Sequence, residues 1–253
     1  MPLNWNHKRS SAVLPGAAPT TCPLCTLTKF STLKRIQSRI YNTCRECGLV
    51  FLSPEHRLGR EEERSRYLLH ENHPGDTAYR NFLNRLAVHL VPKLAPGSSG
   101  LDFGSGPGPT LSIMLEELGF SMTIYDPFFK PDTAVFKRQF DFVTCTETIE
   151  HFYHPEREFE KLDRLIKPGG WLGGMTGILD SDKKFGDWHY HREPTHVCFY
   201  KKTTMNWIAD RFNWRAEFPG KDIVLFQKGP ALKPETGGRF HPPVYQGAHT
   251  RND

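Results

Sequence analysis

The chain has 253 residues, 38% hydrophobic and 24% charged, with a formal net charge of +5. That balance excludes a disordered polyelectrolyte, and no run reaches the roughly 18 apolar residues that span a bilayer. The length allows one full domain plus a small accessory module, and the mild positive charge permits an acidic partner such as RNA without requiring one.

Residues 1–20 are rich in Pro, Ala and Ser and lack a sustained apolar h-region. They are expected to be a disordered N-terminus rather than a signal peptide, and a cytoplasmic location is the default expectation. Residues 21–52 carry Cys22-x2-Cys25 and Cys44-x2-Cys47, with eighteen residues between the pairs. In a reducing compartment such pairs are metal ligands rather than disulfides. Two tight turns bearing four thiolates make a closed tetrahedral site for structural Zn2+, a zinc ribbon. About thirty residues cannot build a core alone, so the metal supplies the missing folding free energy. Lys29, Lys34, Arg35, Arg39 and Arg45, with Phe30 and Tyr41 among them, leave two readings open. They form either a solvated basic face or a nucleic-acid footprint.

Residues 53–75 are charged and lack a clean apolar stripe, so they are expected to form a linker or an exposed helix. A clamp over a ligand is the alternative. From Asp76 to Leu90 the apolar residues Tyr79, Phe82, Leu83, Leu86, Ala87 and Leu90 recur at helical steps, with Asp76 as N-cap and Pro92 and Pro96 as the stop. "GLDFGSG" then predicts a strand running into a glycine turn. "PTLSIMLEELG" predicts a helix with Leu111, Met114, Leu115 and Leu118 on one face. "FSMTIYD" and "FDFVTCT" predict strands, "HPEREFEKLDRLIKPGG" a helix started by Pro155, "WLGGMTGIL" a strand, and "TTMNWIADRFN" a helix. "WRAEF" and "DIVLFQKG" predict a terminal hairpin. Strands alternating with helices specify an α/β domain with a mostly parallel sheet. Residues 229–253, rich in Pro and Gly, are expected to be a flexible tail.

In "LDFGSGPGP", Asp102, Gly104, Gly106 and Gly108 follow a strand and precede a helix, so the backbone can turn sharply and approach a ligand. Asp126 ends the next strand about twenty residues on, where it can hold the hydroxyls of a ribose. This loop resembles motif I of class I S-adenosylmethionine-dependent methyltransferases. Tyr125-Asp126, "FDFVTCTETIEH" and "LIKPGGWL" agree with that family in order and spacing. The resemblance covers roughly residues 78–228, within a methyltransferase domain placed at 76–228. It implies a doubly wound, Rossmann-like, seven-stranded sheet whose last strand is antiparallel. It further implies that Gly104 and Gly106 approach the amino-acid part of S-adenosyl-L-methionine and that Asp126 holds the ribose. Only fourteen residues separate Asp126 from Asp141, so the third strand and its helix are compressed and the usual adenine-contacting block is missing. Pro127 and Phe128 of "PFFKPD" are assigned to the adenine ring instead.

Methyl transfer from a sulfonium is an in-line displacement, so the protein orients two reactants and excludes water. A base is needed only where the acceptor loses a proton. The [DNS]-P-P-[YFW] block of base-amine methyltransferases is absent after the fourth strand, where "CTETIEH" stands. Cys145 reads as core. Glu147, Glu150 and His151 fall at the carboxyl edge of the sheet, and Glu150-His151 matches a common family feature. Glu147 is the candidate for touching cofactor or acceptor.

"DWHYHREPTHVCFY", Asp187–Tyr200, follows the fifth strand. "HVCFYKKTTMNWI" resembles a segment frequent in this superfamily, which implies that His196 lines the site. If "DWHYH" is extended, His189 and His191 share one side and Trp188 and Tyr190 the other. Three readings stay open: an acceptor pocket with His189, His191 and His196 as catalytic candidates, a second metal site with Cys198, or structural packing. The acceptor is a small metabolite or an RNA base, since ribbon-first layouts resemble both ribosomal-RNA guanine methyltransferases and zinc-bearing small-metabolite methyltransferases. The competing class is a non-catalytic binding protein with the same fold.

Overall fold

The computed structural model describes residues 19–69 and 73–230. The expectations for residues 1–18 and 231–253 lie outside them. Three strands open the chain, β1 (Phe30–Ile36), β2 (Arg39–Cys44) and β3 (Val50–Leu52), followed by α1 (Arg60–Tyr67) and α2 (Thr77–Leu90). The α/β body then runs β4 (Ser99–Phe103), α3 (Thr110–Glu117), β5 (Ser121–Tyr125), β6 (Phe140–Thr146), α4 (Pro155–Leu165), β7 (Ile166–Met175), β8 (Cys198–Phe199), α5 (Lys202–Phe212), β9 (Trp214–Gly220) and β10 (Ile223–Lys228).

The main sheet has the order β5-β4-β6-β7-β10-β9. β5, β4, β6 and β7 are mutually parallel, whereas β10 pairs antiparallel with both β7 and β9. The doubly wound expectation holds, including the antiparallel last strand, but among the described residues this sheet has six strands rather than seven. Between β5 and β6 the chain makes only a 3₁₀ turn, Thr133–Lys137, whose Val135 is buried. A strand plus crossover helix needs a dozen or more residues, and the interval is too short.

α2 begins where Asp76 accepts from the backbone N–H groups of Ala78 and Tyr79 at 2.8 and 3.2 Å. Its Leu83, Leu86 and Leu90 cover one face of the sheet together with Leu111, Met114 and Leu115 of α3. Leu118, expected on that α3 face, is 59% exposed, because the helix ends at Glu117 and the chain turns at Gly119. Phe159 and Leu162 of α4 and Met205 and Ile208 of α5 cover the opposite face.

The cysteine-bearing strands are not a separate bead. β1-β2-β3 is extended by β8, with Val50 opposite Phe199 and Phe51 opposite Cys198. Leu52 N–H adds a bond to Val197 O at 2.9 Å. Leu49 to Leu52 and Tyr41 therefore share one continuous core with Phe159, Phe199 and Phe226. Tyr41 is 1% exposed and Phe30 packs edge-on to Phe51. The Tyr41 ring is therefore not a surface platform on which a base could stack, and Phe30 is partly covered.

Candidate active site

A cleft of about 540 Å³ opens at the carboxyl edge of β4, β5 and β6, within the usual size of small-molecule sites. Its floor is the turn after β4. Gly104 and Gly106 adopt φ of +80° and +64°, a region that residues with a Cβ reach only at a cost. A Cβ on Gly104 would stand 2.3 Å from Thr148 Cγ2, so this backbone is open to the cleft only because the side chain is absent. The turn is pinned to the next strand, since Gly104 N–H bonds Tyr125 O at 2.8 Å and Gly106 N–H bonds Asp126 Oδ2 at 3.0 Å. Asp126 Oδ1 in turn accepts from Phe128 and Phe129 N–H at 2.8 and 2.9 Å, which folds "DPFF" into a compact corner.

Of the residues expected to bind cofactor, Gly104, Gly106, Asp126, Pro127 and Phe128 line the cleft, while Asp102 and Gly108 do not. Asp102 lies beneath the turn, fully enclosed, accepting from Thr144 Oγ1 at 2.7 Å and Ser112 Oγ at 3.2 Å. Burial raises its pKa to about 6, against the lowering effect of the two hydroxyls. Its place is under the loop rather than at a ligand.

The segment expected as a linker or exposed helix supplies a wall of the cleft. Arg60, Glu63 and Tyr67 of α1 recur at helical spacing and all three face inward. Glu63 is 9% exposed and accepts from Tyr67 Oη at 2.8 Å, and burial raises its pKa. The Arg60 guanidinium lies 4.6 Å from the Phe128 ring centroid and donates to Pro127 O at 3.2 Å. Tyr67 meets the same ring edge-on. The spacing of 60, 63 and 67 was visible in "REEERSRY", but a face made of polar and aromatic groups carries no apolar stripe to mark it.

The histidine-bearing stretch Asp187–Tyr200 divides. Residues His189–Arg192 form a 3₁₀ turn, not an extended strand, so successive side chains diverge by about a third of a turn. His189 is exposed and does not line the cleft. His191 turns the other way, packs on Tyr41 and Phe185, and bonds Gly186 O at 3.3 Å. His196 alone of the three lines the cleft. Its Nδ1 faces Tyr190 O at 2.8 Å, and burial lowers its pKa to about 4. Cys198 is fully buried in β8 and its thiol faces Phe152 O, so the His/Cys cluster expected from composition does not converge.

Glu147 also lines the cleft, at φ +48°, held by its N–H on Met175 O at 2.8 Å. Burial and then the charge of Glu150 raise its pKa to about 9. Tyr190, missed in the sequence, links the two carboxylates. Its hydroxyl donates to Glu150 Oε1, with Glu147 Oε2 at 3.4 Å, while Thr176 Oγ1 donates to Glu150 Oε2 at 3.0 Å. Tyr190 stacks on Trp188 at 4.9 Å between ring centroids.

The four ribbon cysteines also converge. Cys22 Sγ lies 3.6 Å from Cys47 Sγ and Cys25 Sγ lies 3.5 Å from Cys44 Sγ. These distances are far beyond a disulfide bond. They approach the roughly 3.8 Å edge of a tetrahedron built on metal–sulfur bonds of about 2.3 Å.

A family profile described as a methyltransferase domain matches residues 71–217, more than half of the chain. A ubiquinone biosynthesis O-methyltransferase of Klebsiella pneumoniae is 32% identical over 72 residues, 28% of this chain and 30% of that protein. Its counterpart from Proteus mirabilis is 31% identical over 86 residues, 34% of each. The chain thus spans about a third of the length of these curated relatives. Among solved structures, an O-methyltransferase family 2 protein from Planctomyces limnophilus in complex with apigenin aligns at TM-score 0.47 and 15% identity, over 69% of this chain and 64% of that one. The 1,6-didemethyltoxoflavin-N1-methyltransferase of Burkholderia thailandensis, with its bound 1,6-didemethyltoxoflavin and S-adenosylhomocysteine, aligns at 0.46 and 14% identity, over 78% and 98%.

Proposed function

The chain belongs to the methyltransferase-domain family, and on that premise we propose that it moves a methyl group from S-adenosyl-L-methionine to a small-molecule acceptor. The observation that carries this reading is the single cleft in which the glycine turn and Asp126 face Glu147 and His196. S-adenosylmethionine supplies an electrophilic methyl on a sulfonium, so the protein's task is to hold, orient and dry the two reactants.

Gly104 and Gly106 offer close backbone approach, and Asp126 keeps unused lone pairs for a ribose beside the three N–H groups it already accepts. Phe128, backed by Arg60 and Tyr67, offers an aromatic face for adenine. Glu147, protonated near neutral pH by its surroundings, can donate a hydrogen bond to an acceptor oxygen or nitrogen. His196, held neutral, can accept a proton there. The α1 wall narrows the cleft, which suits a molecule of metabolite size better than a nucleic-acid strand. A non-catalytic binding protein would not need this pairing of a nucleotide-type turn with an acid and a neutral imidazole.

We further propose that Cys22, Cys25, Cys44 and Cys47 hold Zn2+ as a structural ion, supported by four sulfurs within 4.8 Å of one another. No helix among the described residues is long and apolar enough to cross a membrane.

The test is calorimetric binding of S-adenosylmethionine to the full chain. Saturable binding that weakens at least about tenfold on Asp126→Ala is expected. Absence of binding in the folded wild type would remove the enzymatic reading.

A further inference from the structure

We propose that Arg57 is a positioning residue of the cleft: delivered by the cysteine ribbon, it clasps Tyr153 and thereby fixes α1 against the Asp126–Phe129 corner. This gives the ribbon a part in the function proposed above and rests on that function for the ligand, though not for the contacts.

α1 needs such an anchor. From Arg60 to Tyr67 it has no aliphatic side chain, and its buried residue is Glu63. A helix of eight residues without an apolar stripe is held in place neither by its own propensity nor by a packed seam. It reaches the body through arginine arms. Arg60 meets Pro127 O and the Phe128 ring, Arg64 lies 5.9 Å from the Phe129 ring centroid, and Arg66 pairs with Glu193 at 2.9 Å. Arg60 and Arg64 are exposed. Exposed cation–π and ionic contacts each contribute little, because water and salt compete for the charge.

A more sheltered tie lies just before the helix. Arg57 Nη1 donates to Tyr153 O at 3.0 Å, and its guanidinium lies 5.0 Å from the centroid of the Tyr153 ring. Tyr153 Oη returns a hydrogen bond to Leu58 O at 3.0 Å. Two consecutive residues thus hold both the backbone and the hydroxyl of Tyr153. Tyr153 lines the cleft with Phe152 and His154 on the loop after β6, so the clasp ties the start of α1 to that wall.

The ribbon aims Arg57. Ser53, next after β3, is 1% exposed. Its N–H bonds Ile40 O at 2.9 Å and its Oγ accepts from Asn42 Nδ2 at 2.8 Å, both partners in β2. A 3₁₀ turn, Pro54–His56, follows and closes with Arg57 N–H on Pro54 O at 3.2 Å. A turn this short, begun by proline, carries the position of the ribbon directly to the guanidinium.

The guanidinium is costly where it stands. Its Nε is sealed from solvent without a hydrogen-bond partner, and burial lowers the pKa of the group. A sheltered cation with an unbonded donor destabilises a fold relative to an apolar side chain of similar length. Packing alone would be served as well by methionine. What methionine lacks is the bond to Tyr153 O and the charge against its ring.

The experiment measures calorimetric S-adenosylmethionine binding, Tm and hydrogen exchange by mass spectrometry on the full chain. The variants are Arg57→Met, Arg57→Lys and, at an exposed ribbon position, Arg35→Ala. Arg57→Met is expected to keep or raise the Tm, to exchange the α1 amides at least about tenfold faster, and to bind S-adenosylmethionine at least about fivefold more weakly. Arg57→Lys, which keeps a cation near the ring, should fall between it and the wild type. Arg35→Ala should match the wild type in all three. Wild-type affinity in Arg57→Met overturns the proposal whatever the exchange shows. So does weakened affinity with exchange accelerated throughout the chain rather than at α1, which marks a structural role alone. If the folded wild type binds no S-adenosylmethionine, the methyltransferase reading fails and exchange still decides the clasp: acceleration confined to α1 supports it, and unchanged exchange overturns it.

Discussion

A Cβ placed on Gly104 would stand 2.3 Å from Cγ2 of Thr148, so the turn after β4 and the turn after β6 touch through the space a side chain would fill. Gly104→Ala must therefore displace Thr148 and hold alanine at φ +80°, a strain of about 1–2 kcal/mol before any clash. S-adenosylmethionine affinity should fall more than about tenfold with a lower Tm. Adding Thr148→Ala should restore part of the Tm but less of the affinity, because the backbone strain remains. Wild-type affinity in Gly104→Ala would show that the turn does not meet the cofactor.

Arg60 covers the outer side of Phe128 and bonds Pro127 O. Its removal should cost under about 1 kcal/mol of stability, the scale of an exposed cation–π contact. Cofactor affinity should nevertheless drop several-fold, as it should in Phe128→Ala. If binding isotherms of both variants overlay the wild type, Phe128 is not the adenine wall.

Asp102 titrates near 6 in the folded chain against an ordinary 3.8, because it is sealed under the glycine turn. A carboxyl with a raised folded pKa binds more protons folded than unfolded. Its ionisation therefore costs stability as pH rises from about 4 to 6, and the cost persists above. Asp102→Asn should be no more stable than wild type at pH 4 and more stable at pH 8, by up to about 3 kcal/mol. Thr144 and Ser112 hydroxyls can rotate to serve the amide. Thermal melts at the two pH values give the comparison, and a pH-independent difference would refute it.

The core that runs from Tyr41 and Leu49 into Phe199 and Phe226 makes the ribbon and the α/β body one cooperative unit. Cys44→Ser, or a chelator acting on the zinc proposed there, should lower the single melting transition and weaken cofactor binding together. Two separate transitions, with the body's unchanged, would show that the ribbon folds alone.

His189, His191 and His196 should separate functionally. His189→Ala, at an exposed position, should leave turnover unchanged. His191→Ala should lower Tm through lost packing on Tyr41 and Phe185 while sparing the pH profile of kcat. His196→Ala should lower kcat and alter that profile. Equal loss of kcat in all three would contradict the placement.

Spacing alone located much of this protein. The Cys22/Cys25 and Cys44/Cys47 knuckles, the Asp76 cap, the Gly104–Gly106 turn and the strand–helix alternation are determined by neighbours within a few residues, so each leaves a local signature. The compressed interval after Asp126 is legible for the same reason, although its length alone does not distinguish a short strand from a missing one.

Tertiary structure decided what spacing could not. α1 became a wall because Arg60 and Tyr67 found Phe128, more than fifty residues away, and its polar inner face offers no hydrophobic periodicity to read. The histidines of Asp187–Tyr200 were sorted by a 3₁₀ turn whose register depends on Tyr41 and Phe185 claiming His191. Glu150 and His151 meet His196 only because β6 and β7 set their following loops side by side. Local chemistry sets which groups can act. The packing of distant segments, each burying surface the other exposes, sets which of them face the same space.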